Sequence, residues 1–196
     1  MPHSQRDEES HIVRAVQNCV GRRLLDIGAW DPIIFSNSRA LLTEYKWGGV
    51  LIEPSPMPLR NLVKAYADRA DIEILAGAVD LEPRLMNLKI TDDAVSAETG
   101  SAQTVKWSEA GGYIGRMWIQ TYTLEQIMHA FGGFDFVNID TEGTSVDLFK
   151  ALISTEMYPT CICVEHDGRI VEAMQAGRAR GYHPVYESEE NLVFAR

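Results

Sequence analysis

The chain has 196 residues, 45% hydrophobic and 23% charged, enough apolar material for one sizeable core and too little for two. Its 28 acids against 18 bases give a net charge of −10, a field that repels polyanions and argues against general nucleic-acid binding. No apolar run approaches the roughly 20 residues of a membrane span, and MPHSQRDEES at the start lacks the basic and apolar segments of a signal peptide, so a cytoplasmic protein is expected, with one domain over 1–196.

In chain order, HIVRAVQNCVG sets Ile12, Val13, Val16, Cys19 and Val20 at helical spacing, with Gly21 just past the helix end. RRLLDIG predicts a short strand closed by Asp26 and Gly28, and Ser36 or Asn37 predicts the cap of a helix over SRALLTEYKW. GGVLIEP predicts a second strand ending at Glu53, PLRNLVKAYADR a proline-started helix, and IEILAGAV a third strand. LMNLKI reads as an extra strand. Thr91 to Gly115 is rich in Gly, Ser, Thr and acids; a stretch that long inside a compact domain is more often functional than idle, so a lid or substrate loop is expected at about 91–116, against the alternative of a disordered insertion.

MWIQTY then predicts a strand, TLEQIMHAF a short helix, and FDFVNID the fourth core strand. TSVDLFKALIS is a helix, TCICVE the fifth strand, and RIVEAMQAGRAR a helix ended by Gly181. HPVYES and ENLVFAR are joined too tightly for a crossover helix and predict an antiparallel hairpin. Cys161 and Cys163 alternate within a strand and so share a face; buried reduced thiols are expected rather than a metal or redox pair.

Alternating buried-type strands and amphipathic helices predict an α/β fold, a parallel sheet covered on both faces with right-handed crossovers. Ligands of such sheets bind outside the carboxyl ends of the strands, and acids fall at each of these ends: Asp26, Glu53, Asp80, Asp140 with Glu142, and Glu165 followed by His166 and Asp167. Gly28 allows a close approach at the first strand-to-helix turn, where the following helix would offer its N-terminus. GAWDP carries one glycine only, which disfavours a NAD-dependent oxidoreductase. Glu53 lies about 25 residues beyond Gly28, where nucleoside-binding sheets place a carboxylate for ribose hydroxyls.

LLDIGAWDP, SNSRAL, WGGVLIEPSP, AGAVD, TLEQI, FVNIDTEGTSVDLFKAL and CVEHDG, in this order, resemble the FkbM-like branch of S-adenosylmethionine-dependent methyltransferases. The resemblance covers most of Leu24 to Glu172 and the closing GYHPVYESEENLVFAR, and LIEPSP with IDTEG carries its specificity. It implies a Rossmann-like doubly wound sheet of seven strands, mostly parallel with an antiparallel last strand and helices on both faces. It also implies S-adenosylmethionine as cofactor, its methionine part at Asp26, Gly28 and Ala29, its ribose at Glu53 and its adenine near Ala78, Val79 and Asp80. Asp140 would then border the methyl group as a further cofactor contact. The chain departs from the family at Trp30 and Pro32; Pro32 is expected to start a helix.

The candidate catalytic residues are Asp140, Glu142 and His166. In one reading Asp140 or His166 takes the proton of a substrate hydroxyl, giving O-methylation of a small molecule or sugar. In a second, Asp140, Glu142, Glu165 and His166 share a divalent ion. In a third, the carboxylates are structural, Glu142 capping the helix at Thr144 and Asp140 bonding backbone amides. A catalytically silent scaffold that binds nucleoside or cofactor is the alternative to an enzyme.

Overall fold

The computed structural model describes residues 3–91 and 113–196. Helix α1 (Glu8–Val16) begins earlier than its apolar spacing suggests, with Glu8 and Glu9 in the first turn, where the helix dipole favours negative charge. It ends before Gly21, which serves as space rather than as a cap: a Cβ there would meet the Asp135 carboxylate at 2.7 Å. Strand β1 (Arg23–Ile27) leads through an irregular stretch to α2 (Arg39–Thr43), then to β2 (Gly48–Glu53) and α3 (Pro56–Ala65) with Pro at its start. The expected third strand divides into β3 (Ile72–Ala76) and β4 (Ala78–Val79). Gly77 makes the break with φ +150°, pressed against the Gln120 carbonyl and the Tyr122 ring. Next come β5 (Leu85–Thr91), β6 (Tyr113–Tyr122), α4 (Leu124–Phe131) with a complete Thr123–Gln126 capping box, β7 (Phe136–Ile139), α5 (Ser145–Ser154), β8 (Cys161–Glu165), α6 (Ile170–Ala179), β9 (His183–Glu187) and β10 (Asn191–Ala195).

The seven-stranded sheet has the order β3-β2-β1-β7-β8-β10-β9. Neighbours from β3 through β8 pair in parallel, while β10 lies antiparallel between β8 and β9, as the hairpin reading requires. Period-2 alternation sends Leu25, Ile27, Val137, Ile139, Ile162 and Val164 to a face packed by α4, α5 and α6. Leu24, Leu51, Phe136, Cys161, Cys163 and Val193 go to the opposite face, under α1, α2 and α3. Both strand cysteines are buried and free, on one face as their spacing predicts.

Strands β4, β6 and β5 form a second, three-stranded sheet that the strand-by-strand reading does not anticipate. Its small core is Met86, Leu88 and Ile119. The segment expected as a lid, about 91–116, falls mainly on 92–112, outside the described residues; its flanks belong to β5 and β6. Among the described residues no helix is long and apolar enough to cross a membrane.

Candidate active site

One cavity runs along the carboxyl ends of β1, β2, β4, β7 and β8 and the start of β10. It lies where strand order reverses about β1, with β2 on one side and β7 on the other. Asp26, Gly28, Ala29, Glu53, Ala78, Val79, Asp80 and Asp140, the residues expected around a cofactor, all line it, as do Glu142 and Glu165.

Gly28 is a backbone requirement. Its φ is +82°, and an added Cβ would lie 1.7 Å from the Asp140 carbonyl oxygen. The ladders close above and below: Gly28 and Ala29 both donate to the Ile52 carbonyl at 3.0 and 3.1 Å, and the Asp140 amide donates to Ile27 at 2.9 Å. The glycine therefore makes room for the end of β7 as well as for a ligand. The expected helix does not follow it. Residues 29–38 are irregular, Pro32 starts no helix, and α2 begins at Arg39. Asp31 Oδ1 instead accepts from the Ile33 and Ile34 amides at 2.8 and 3.0 Å, and Arg39 donates to the Pro32 carbonyl. Trp30 adopts φ +41°, Phe35 φ +57°, and their rings stack at 6.0 Å to form one wall of the cavity.

Glu53 holds that wall. One carboxylate oxygen accepts from the Trp30 amide at 2.9 Å and the other from the Ser55 amide at 2.7 Å. Burial pushes its pKa up to about 7, against the pull of these amides, and the neighbouring Asp26 charge adds to the rise. Each oxygen keeps a second lone pair for a hydroxyl donor.

Asp26 is committed more deeply. It accepts from Ser38 Oγ and from Asn138 Nδ2 at 2.8 Å, while Asn37 donates to Asn138 Oδ1 at 3.1 Å. All four side chains are buried, and burial raises the Asp26 pKa. The network fastens the 36–38 stretch to β1 and β7, a role that the sequence reading of Asp26, Ser36 and Asn37 misses. Ser38, not Ser36 or Asn37, occupies the N-cap position, and its hydroxyl is turned to Asp26 instead of the helix. The usable signal was Asn138: an amide inside the apolar run FVNI needs a buried partner.

On the far wall, Ala78 and Val79 follow the Gly77 break, and Asp80 binds Arg84 Nη2 at 2.6 Å and the Leu81 amide at 2.7 Å. Asp80 follows β4 in the second sheet, not the third strand of the main sheet. Met86 from the same small sheet reaches the cavity.

The acids at the other end converge. One oxygen each from Asp140, Glu142 and Glu165 lies within 4.8 Å of the others. Burial raises the pKa of both Asp140 and Glu165; the Glu142 charge adds to the rise at Asp140 and the Asp140 charge to the rise at Glu165. Glu165 also accepts from the Glu142 amide and from Ser145 Oγ, each at 3.2 Å. Glu142 has φ +52°, and burial beside Glu165 and Asp167 pushes its carboxyl up to about 8. Among the described residues neither Asp140 nor Glu142 accepts from an amide of α5, whose N-cap Thr144 makes no side-chain cap bond, so the helix-cap reading fails.

His166, expected beside these acids as catalyst or ligand, stands apart. Its Nδ1 accepts from the Gly168 amide at 3.1 Å, its Nε2 faces the Ser188 carbonyl at 3.4 Å, and it does not line the cavity. The ring is used in shaping the turn after β8, and the convergent group is Asp140, Glu142 and Glu165 without it.

A search of curated proteins gives no match. Among solved structures, an Escherichia coli protein assigned as a methyltransferase, yhhF, aligns over 100% of this chain and 88% of its own, with 11% identity and a TM-score of 0.50. The fibrillarin pre-rRNA processing protein of Methanococcus jannaschii aligns over 97% and 76% at 14% identity and 0.48. Aeropyrum pernix fibrillarin, solved with natively bound S-adenosyl-L-methionine, aligns over 95% and 74% at 10% and 0.48. These likenesses concern the fold. The methyltransferase FkbM domain model matches residues 26–183, from the Asp26 network through the acids to β9, and the chain belongs to that family.

Proposed function

We propose that the chain is an S-adenosylmethionine-dependent methyltransferase acting as one domain on a hydroxyl group of a small molecule or sugar. The observation that carries this reading is a single cavity with Glu53, held by two amides, at one end and the Asp140, Glu142 and Glu165 group at the other. Family membership supports it.

The lining fits such a cofactor in three places. Glu53 retains a lone pair on each oxygen for ribose hydroxyls, a charge-assisted contact worth about 1.5–3 kcal/mol. Val79 and Met86 offer apolar contact to adenine, and the Gly28 turn offers close backbone approach to the methionine part. When bound, the cofactor supplies an electrophilic methyl group on a sulfonium. Asp140 and the Gly28 turn set the line of approach, and orientation of this kind is worth roughly 7–11 kcal/mol. Glu142, in its ionised form, would take the proton of the acceptor hydroxyl as that oxygen gains the methyl group, the electron pair of the broken carbon–sulfur bond staying on sulfur. A positioned base of this sort contributes about 10²–10⁴-fold.

Calorimetric titration with S-adenosylhomocysteine tests the reading. One site per chain is expected, weakened at least tenfold by Glu53→Ala; absence of binding, or unchanged binding in the variant, overturns it. Transfer of labelled methyl to a panel of hydroxylated acceptors separates an enzyme from a silent scaffold.

A further inference from the structure

We propose that Asp140, Glu142 and Glu165, completed by the side-chain oxygen of Asn191, form a site for one hard divalent cation, magnesium or manganese, that presents the acceptor oxygen to the methyl group. The three carboxylates offer one oxygen each within 4.8 Å of one another, a span that a single ion can bridge. Asn191 is an independent pointer. It is 3% exposed, its Oδ1 is buried without a hydrogen-bond partner among the described residues, and it lines the same cavity. It sits directly opposite Glu165 in the antiparallel β8–β10 ladder, so the two side chains leave the same face of the sheet. A buried amide oxygen left unsatisfied costs on the order of a hydrogen bond, and a cation shared with Glu165 supplies what it lacks.

The donor set is oxygen only: Cys161 and Cys163 lie in the core on the α1–α3 face, and His166 bonds elsewhere. Carboxylate and amide oxygens select magnesium, manganese or calcium over zinc or copper. Among the described residues no Lys or Arg forms an ion pair with any of the three acids. Glu165 is oriented by the Glu142 amide and Ser145 hydroxyl, the kind of outer support that fixes a ligand carboxylate. Each acid gives one oxygen, which leaves the second oxygen of Glu142 to take the acceptor's proton. The site stands on these side chains, and only the use made of the ion rests on the methyltransferase reading. With that reading, three ionised carboxylates, one divalent ion and the sulfonium balance to zero charge before transfer.

The full chain, freed of metal with EDTA, is titrated with Mn²⁺ while free Mn²⁺ is followed by electron paramagnetic resonance. One ion per chain is expected, weakened at least about tenfold by Glu142→Gln or Glu165→Gln and several-fold by Asn191→Ala, with Asn191→Asp restoring it. Asp147→Asn, in a surface ion pair, leaves binding unchanged. Removing a repelling acid does not threaten folding, which circular dichroism of each variant checks. No saturable Mn²⁺ binding, or binding unchanged in Glu142→Gln and Glu165→Gln, overturns the proposal and leaves charge compensation to an ammonium group on a ligand. Calorimetry with S-adenosylhomocysteine in EDTA runs in parallel: S-adenosylhomocysteine binding without Mn²⁺ binding sinks the ion site alone, and Mn²⁺ binding without it sinks the cofactor reading alone.

Discussion

Glu53 accepts from two backbone amides and still carries a pKa raised to about 7, because burial outweighs both bonds. Hydroxyl donors of a ligand favour its ionised form, so ligand binding should release a proton below neutrality. Affinity for S-adenosylhomocysteine should therefore rise between pH 5.5 and 8, by up to about tenfold per pH unit at the acid end, and calorimetry checks this. In Glu53→Gln the dependence should flatten and affinity should fall, since an amide has one oxygen where two amides need acceptors. Asn138 offers a second test. Asn138→Leu strands Asp26 and Asn37 without their shared partner and should cost about 1–3 kcal/mol in urea unfolding, with cofactor affinity falling as the 36–38 stretch loosens.

At the scale of elements, α6 and β10 meet at Gly177, where an added Cβ would stand 2.8 Å from the Phe194 ring, itself stacked on Phe149 at 5.0 Å. Gly177→Ala should thus cost about 1–3 kcal/mol by overpacking, read as a lower denaturant midpoint, despite alanine's better helix propensity. Most elements were legible because each has one periodicity: strands β1, β2, β7 and β8 are short, largely apolar runs, and α4 carries its capping box in TLEQ. The breaks were less legible. IEILAGAV reads as one strand, yet Gly77 divides it, because the partners of β4 lie some forty residues away in β6. Pro32 suggested a helix start, but Glu53 from another strand claims the Trp30 amide and Asp31 claims the two that follow Pro32. The acids of the site were visible as strand endings; their convergence, and the diversion of His166 to Gly168, depend on side-chain directions after β7 and β8.

For the whole molecule, acids gathered in one cavity set how stability depends on pH. The Glu53 carboxyl is raised from 4.5 to about 7 in the folded chain, so its protonated form favours folding: this contribution is full below about pH 4.5 and is lost as pH rises through 7. Asp26, also raised by burial, acts in the same direction. The melting temperature of the ligand-free chain should decline from pH 5 to 8, on the order of 3 kcal/mol in stability, and scanning calorimetry would show it. The stabilisation by S-adenosylhomocysteine should be larger at pH 8 than at pH 6. The contact between Gly28 and the Asp140 carbonyl belongs to this scale too, since it joins the two halves of the sheet at the reversal of strand order. Gly28→Ala should cost about 3 kcal/mol or more and reduce folded yield. Two backbones in van der Waals contact act there as a feeler gauge: they set the interval between cofactor cradle and acids, and no side chain enters the measurement. Under the proposed function, substitutions at Glu142 or Glu165 should then change which acceptor is taken while the reach of the methyl group stays the same, which a comparison of labelled-methyl transfer across the acceptor panel checks.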